Sequence, residues 1–193
     1  MPAYEKPRIA QDEHEISAFC DIVRGEGARQ YLEIGSHFGG SLWRVARSLP
    51  VGSRIVSVDM PGGTKKWAAS SESLKTCAAE LQRLGYDVHV IWGNSQSRDV
   101  IRKVELLGPY DAIMLDADHR LAGVTADFEN YSPMSTSIVA FHDISWRRAP
   151  DWGDGTRIDV PEFWSSIKNG YRHREIRLCP TGKNNGIGVL WKT

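Results

Sequence analysis

The feature that most constrains this chain is the way its apolar runs end. Tyr31-Leu-Glu-Ile34 breaks at Gly35, Arg54-Ile-Val-Ser-Val-Asp59 closes on an acid, and Asp87-Val-His-Val-Ile-Trp92 opens into Gly93-Asn94-Ser95. Tyr110-Asp-Ala-Ile-Met-Leu-Asp116 and Ser137-Ile-Val-Ala-Phe-His-Asp143 again close on acids. Runs this short and this apolar read as strands buried on both faces. Between them apolar residues recur at helical spacing: Leu42, Val45, Ala46 and Leu49; Leu74, Cys77, Ala78, Leu81 and Leu84; Val100, Ile101, Val104 and Leu107; Leu121, Val124, Phe128 and Tyr131. Pro50 with Gly52, Gly85, and Gly108-Pro109 stop the first three of these helices. Such an alternation predicts a doubly wound, mostly parallel α/β sheet. Open sheets of this kind bind ligands along the rim formed by the carboxyl ends of their strands. The glycines and acids that close the runs therefore converge on one place.

The flanks are less regular. Ile16, Phe19, Cys20 and Val23 predict a helix from Gln11 to Arg24, stopped by Gly25 and Gly27, over the sheet edge ahead of the first strand. Ile144 to Asp159 has no period and holds Trp146, Arg147, Arg148, Pro150, Trp152, Gly153 and Gly155, which reads as a long functional loop or lid. Val160 to Lys168 predicts a short helix with Phe163, Trp164 and Ile167 inward. Tyr171 to Leu178 and Gly186 to Trp191, joined through Pro180 to Asn185, are too close in sequence to be anything but antiparallel, with one of them at the sheet edge. The 193 residues fit one domain.

Charge and cysteines narrow the setting. Lys+Arg and Asp+Glu balance at 24 each, so nothing asks for nucleic acid or an anionic membrane as partner. The basic cluster Arg172, His173, Arg174 and Arg177 reads as a solvated strand face. Cys20, Cys77 and Cys179 are odd in number and contain no CxxC pair, which argues against a disulfide framework and for a reducing compartment. The polar, acid-bearing first thirty residues resemble no targeting peptide, and no apolar run is long enough to span a bilayer. The expectation is a soluble cytoplasmic protein with a small-molecule partner, and a homodimer if it assembles.

In the turn from Gly35 to Ser41, Gly35, Gly39 and Gly40 let the backbone turn tightly and approach a ligand, and Ser41 is placed to cap the next helix. A dinucleotide fingerprint needs its second glycine where His37 stands, and a P-loop lysine is missing. What remains is a nucleoside without a phosphate chain, its ribose at Asp59 and a small charged group over the glycines.

Glu33-x-Gly35-Ser36-x-x-Gly39-Gly40-Ser41, Asp59 closing the second strand, and Asp111-Ala-Ile-Met-Leu-Asp-Ala-Asp-His119 followed by Phe141-His142-Asp143 resemble the class I S-adenosylmethionine-dependent methyltransferases. The likeness is to a small bacterial branch similar to macrocin-type sugar and catechol O-methyltransferases. It covers nearly the whole chain and departs from the commoner G-x-G-x-G form at Ser36 and His37. It implies a Rossmann-like seven-stranded sheet of order 3-2-1-4-5-7-6, strand 7 antiparallel, with helices on both faces. It also implies that Glu33, Gly35 and Ser36, with Gly39 and Ser41 in the same turn, hold the amino-acid part of S-adenosyl-L-methionine. Asp59 would bind the ribose, the Gly93-Asn94-Ser95 turn would flank the adenine, and Asp116 would border the cofactor.

By the same resemblance Asp116, His142 and Asp143 match the positions that hold a divalent metal ion, and His119, three residues after Asp116, matches a general base. An imidazole between two carboxylates suits Mn, Fe, Zn or Ni better than Mg, and an imidazole titrating near neutrality suits a base. The implied reaction moves a methyl group from S-adenosylmethionine to a hydroxyl oxygen of a small molecule. Competing readings stand at this level: a metal-dependent oxygenase or hydrolase on the same fold, or a non-catalytic nucleoside-binding protein. Residue by residue, the alternatives are that Glu33 serves only loop amides, Asp143 caps a turn, His142 bonds to Asp116, and His119 is a satisfied structural histidine. His37 reads as lining the site and His89 as structural.

Overall fold

The computed structural model describes residues 4–61, 70–146, 157–177 and 185–192. In chain order these form α1 (Glu13–Gly25), β1 (Gln30–Ile34), α2 (Gly40–Ser48), β2 (Arg54–Asp59), α3 (Ser70–Arg83), β3 (Asp87–Trp92) and α4 (Arg98–Glu105). There follow β4 (Tyr110–Leu115), α5 (Leu121–Tyr131), β5 (Ser135–His142), α6 (Val160–Ile167), β6 (Arg172–Ile176) and β7 (Ile187–Trp191). Among the described residues the strands make one seven-stranded sheet of order β3-β2-β1-β4-β5-β7-β6. Strands β1 to β5 are parallel, and β7 runs antiparallel to both β5 and β6. The expected order and the antiparallel last pair are both present.

Strand alternation splits the core into two layers. Tyr31, Ala112, Met114, Ile138 and Ala140 face α1, α2 and α3 with Phe19, Val23, Leu42, Leu74 and Leu81. Leu32, Ile34, Ile113, Leu115, Val139 and Phe141 face the other way, onto Val100, Val104, Val124, Tyr131, Phe163 and Trp164 from α4, α5 and α6. Burial on both faces is why these strands read as continuous apolar runs rather than alternating ones. Helix α1 begins at Glu13 because Asp12 caps it, its Oδ1 accepting from His14 N at 2.9 Å. It packs on α2 and over β7 and β6, the edge side of the sheet. The basic residues of β6 and Arg177 are exposed, as a solvated strand face should be.

One expectation about the glycine turn is overturned. Helix α2 starts at Gly40, with Gly39 at the cap in the left-handed region and no side-chain cap, so Ser41 lies inside the first turn and its hydroxyl goes to Glu33 instead. The space on the Cβ side of these glycines is also taken by the protein itself. A Cβ on Gly35 would lie 2.2 Å from the Asp116 carbonyl oxygen, one on Gly40 2.3 Å from the Arg8 carbonyl oxygen, and one on Gly39 3.1 Å from Cys77. Backbone from elsewhere in the chain occupies the room at Gly35 and Gly40, and the Cys77 and Leu74 side chains occupy it at Gly39.

Cys20 and Cys77 are free and buried. Cys179, the loop at Gly62-Gly63, the Pro180 to Asn184 connection, and Arg147, Arg148, Pro150, Trp152, Gly153 and Gly155 of the expected lid lie outside the described residues. No helix among the described residues is long and apolar enough to cross a membrane.

Candidate active site

The rim at the carboxyl ends of the central strands is knitted together by backbone. Gly35 N donates to Val58 O at 2.8 Å, Gly93 N to Asp59 O at 2.9 Å and Asp116 N to Ile34 O at 2.8 Å, continuing the sheet pattern past the last strand residues. His37 at φ 52° and Asp143 at φ 62° are the non-glycine residues with positive φ among those described, and both lie on this rim. Backbone held in that region by side-chain-bearing residues costs on the order of 1–3 kcal/mol and gathers at functional sites.

The first part of the site is the turn after β1. Asp59 Oδ2 accepts from His37 N at 2.5 Å, and the Met60 and Ser36 amides also serve its carboxylate. Burial pushes the Asp59 pKa up while those amides pull it down. The acid at the end of β2 thus sits directly against the glycine turn. Ser36 accepts a hydrogen bond from Ser57 Oγ at 2.7 Å. Glu33 is wholly buried on the α2 side of β1, accepting from Tyr31 Oη at 2.6 Å and Ser41 Oγ at 2.8 Å. Burial raises its pKa to about 7, against the opposing hydrogen bonds from Tyr31, Ser41 and Ser36.

That shift has a consequence for stability. A carboxyl whose folded pKa lies above its unfolded one stabilises the fold below the unfolded value, and the contribution is lost as pH rises through the folded value. For Glu33 the interval runs from 4.5 to about 7, which is worth about 3 kcal/mol at most. Glu33→Gln, whose amide accepts from one hydroxyl and donates to the other, is therefore expected to flatten the fall in melting temperature between pH 5 and pH 8 seen in the wild type by roughly 5–10 °C. Parallel curves for the two proteins, followed by circular dichroism, would count against an ionising Glu33.

The turn after β3 faces two ways. Asn94 is exposed and its Oδ1 accepts from Gln96 N at 2.9 Å, forming a local turn. Ser95 is buried, its hydroxyl donating to Asp127 Oδ1 at 2.8 Å and its carbonyl accepting from Tyr131 Oη at 2.6 Å. The Ser95 side chain is thus committed to α5, leaving Gly93, Asn94 and the backbone on the rim. Asp127 itself is 1 % exposed, and burial raises its pKa to about 6 against the Ser95 hydrogen bond.

Four side chains meet where β4 and β5 end. His119 Nε2 lies 3.3 Å from Asp116 Oδ1 and 3.1 Å from Asp143 Oδ2, and His142 Nδ1 lies 3.3 Å from both Asp116 Oδ1 and Asp143 Oδ1. Gln11, reaching in from ahead of α1, donates from Nε2 to Asp116 Oδ2 at 2.7 Å. The loop bearing His119 is pinned by Asp159, whose N donates to His119 O at 2.7 Å and whose Oδ2 accepts from Leu121 N at 3.1 Å. Burial would raise the Asp116 pKa, but His142 and His119 outweigh it and hold that carboxyl well below the usual range. Burial would likewise lower both imidazoles, yet Asp116 and Asp143 raise His119 to about 10 and His142 to about 9.

One ligand atom each from Asp116, His142 and Asp143 lie within 4.8 Å of one another. Asp143 is buried, yet neither of its oxygens makes a well-aligned hydrogen bond. Oriented, desolvated oxygens without such bonds beside an imidazole are what a divalent ion needs, so these residues fit one. A small cavity of about 10 Å³ adjoins them, lined by Leu115, Asp116, Ala117, Asp118, His119, Val124, Asp127, His142 and Val160.

The sequence over residues 32–144 matches the model of a family described as a methyltransferase domain. The chain belongs to this family. The matched span runs from β1 past the Asp143 turn and so contains Glu33, the glycine turn, Asp59, the Gly93 turn and the four-residue cluster. No curated protein sequence matches the chain. Among solved structures, an O-methyltransferase from Bacillus cereus in complex with SAH is similar at a TM-score of 0.70 and 19% identity, covering 97% of this chain and 84% of its own. TomG, an O-methyltransferase from Streptomyces achromogenes involved in tomaymycin synthesis and solved in complex with SAM, is similar at 0.71 and 20% identity, covering 95% and 82%. At such identities the likeness establishes the fold, which is the Rossmann-like one of class I methyltransferases.

The residues gathered on this rim are mostly ones that the sequence singled out, with exceptions. Sequence reading missed Gln11, Glu15 and Asp127. Two of these carried a signal: Glu15 falls in phase with Phe19 and Ile22 on the apolar side of α1, and Asp127 falls between Val124 and Tyr131 on that of α5. An acid inside an apolar stripe needs a partner. His89 pairs with Asp87 at 2.8 Å on a half-exposed strand, away from the rim.

Proposed function

We propose that this chain transfers the sulfonium methyl group of S-adenosylmethionine to a hydroxyl oxygen of a small molecule, assisted by a divalent ion held by Asp116, His142 and Asp143. The observation that carries the reading is the cluster of Asp116, His119, His142 and Asp143, whose ion-pair contacts are 3.1–3.3 Å, at the strand ends of a methyltransferase-domain fold. O-methyltransferases among the structural neighbours support the oxygen as acceptor atom, and their SAH and SAM support the cofactor.

In the proposed reaction the acceptor oxygen attacks the methyl carbon, the carbon–sulfur bond breaks, and the sulfur keeps that electron pair as a neutral thioether. The acceptor's proton must leave. His119, beside Asp116 and Asp143, is the imidazole placed to take that proton in its neutral form. A divalent ion held by Asp116, His142 and Asp143 would supply Lewis acidity that lowers the pKa of the acceptor hydroxyl. Asp59, held against the glycine turn by the His37 amide, is the acid placed for the ribose hydroxyls. Gln11 fixes Asp116 from the other side.

Methyl transfer to a panel of vicinal diols and catechols, with Mn²⁺ and with a chelator, tests the whole reading. Transfer that persists undiminished after chelation would remove the ion from it. Asp59→Ala is expected to weaken S-adenosylhomocysteine binding by about 10–100-fold in calorimetry, the loss of one or two charge-assisted hydrogen bonds. Unchanged affinity would remove Asp59 from the ribose.

A further inference from the structure

We infer that Asp127 is a positioning residue for cofactor binding: its buried carboxylate, reaching out of α5, holds the turn after β3 in the place where it meets the adenine. The inference deepens the S-adenosylmethionine reading above and rests on it.

The sheet order separates two turns that this acid joins. Strands β3 and β4 stand three strand spacings apart, roughly 14 Å, with β2 and β1 between them. Asp127 is 1 % exposed and bonds to the turns that follow both. Its Oδ1 accepts from Ser95 Oγ at 2.8 Å, and the Asp118 amide also serves its carboxylate. One helical turn further along α5, Tyr131 Oη donates to Ser95 O at 2.6 Å. Ser95 is therefore held by its side chain and by its backbone, from two residues four apart on one face of α5. Asp118 is pressed onto the same helix, since a Cβ on Gly123 would lie 2.1 Å from the Asp118 carboxyl carbon.

Packing alone asks for no acid here. Val124 and Tyr131, on either side of Asp127, already seat α5 in the second apolar layer. A carboxyl buried among them costs free energy unless donors meet it, and the donors that do so come from the two rim turns. What the acid adds is a fixed separation of those turns. The Ser95 side chain and carbonyl both belong to α5, so the turn presents Gly93 and Asn94 to the rim from an anchored base. A surface held in its binding geometry beforehand loses little conformational freedom when a ligand arrives, and affinity rises accordingly.

The test is titration of the full chain with S-adenosylhomocysteine and with S-ribosylhomocysteine, which keeps the amino-acid part and the ribose but has no adenine. Asp127→Ala is expected to weaken S-adenosylhomocysteine binding by about 10-fold and S-ribosylhomocysteine binding by less than about twofold, with melting temperature as the control of folding. Ser95→Ala removes the same hydrogen bond from its other end and is expected to show the same selective loss, about 3–10-fold. It decides the matter if Asp127→Ala does not fold. The double variant is expected to bind no more weakly than Asp127→Ala, because both changes break one contact. Equal losses for the two ligands, or S-adenosylhomocysteine affinity unchanged in the variants, overturns the role of Asp127 alone. A wild type that binds the two ligands equally well overturns the adenine assignment of the turn together with this inference. A wild type that binds neither overturns the S-adenosylmethionine reading itself.

Discussion

Alanine in place of His119 is expected to lower kcat by about 10²–10⁴-fold, the range for removing a positioned general base, while S-adenosylhomocysteine binds within about threefold of wild type. The split follows from where the side chain sits. His119 faces Asp116 and Asp143 at 3.3 and 3.1 Å, whereas the groups assigned to the cofactor's amino-acid part and ribose gather around Glu33 and Asp59. A residue that acts only while the proton moves affects kcat, and one that binds the cofactor affects affinity. Single-turnover measurements at saturating cofactor separate the two. A loss of less than about tenfold in the methyl-transfer step would return His119 to the role of a counter-charge that only keeps the two acids together.

Gly35→Ala is expected to destabilise the fold by about 3 kcal/mol or more, lowering the melting temperature by roughly 6–12 °C. The residue has φ 89°, and its Cβ would lie 2.2 Å from the Asp116 carbonyl oxygen and 2.6 Å from the Asp116 carbonyl carbon. Those are backbone atoms of the neighbouring rim, and no rotamer change moves them away. Gly52→Ala is the matched comparison, because Gly52 has φ 86° but nothing within 4 Å of a Cβ. It bears the backbone penalty alone, about 1 kcal/mol. The difference between the two variants therefore measures how tightly the β1 turn is pressed onto the end of β4. Equal melting temperatures would mean that the turn can shift freely. Because the displaced atoms belong to Asp116, Mn²⁺ binding is expected to weaken in Gly35→Ala and not in Gly52→Ala.

The strands were legible because each is buried on both faces, and burial leaves an unbroken apolar run that any reader of the sequence sees. The span of β2 is the same by either route, Arg54–Asp59, as is that of β3, Asp87–Trp92. The acids of the rim were legible for a related reason: a carboxylate that ends an apolar run stands at a strand's carboxyl end. Asp59, Asp116 and Asp143 could be placed on that principle alone, and His119 and His142 came with them. The glycine turn was legible as a turn but not as to purpose. Gly35 and Gly40 turned out to admit backbone from elsewhere in the chain, and Ser41, read as a cap, lies two residues past the actual cap at Gly39 and bonds to Glu33.

Local periodicity is a property of neighbouring residues, so the sequence by itself determined the strands, most of the helices, and the rim on which the chemistry gathers. Which side chains touch across that rim was decided only by tertiary packing. Gln11 meets Asp116 across 105 residues, and Glu15 meets Gly186 across 171. Those contacts exist because α1 and the segment before it are drawn onto the sheet by Ile16, Phe19 and Val23. The polar groups they carry inward must then find partners that no spacing in the sequence records.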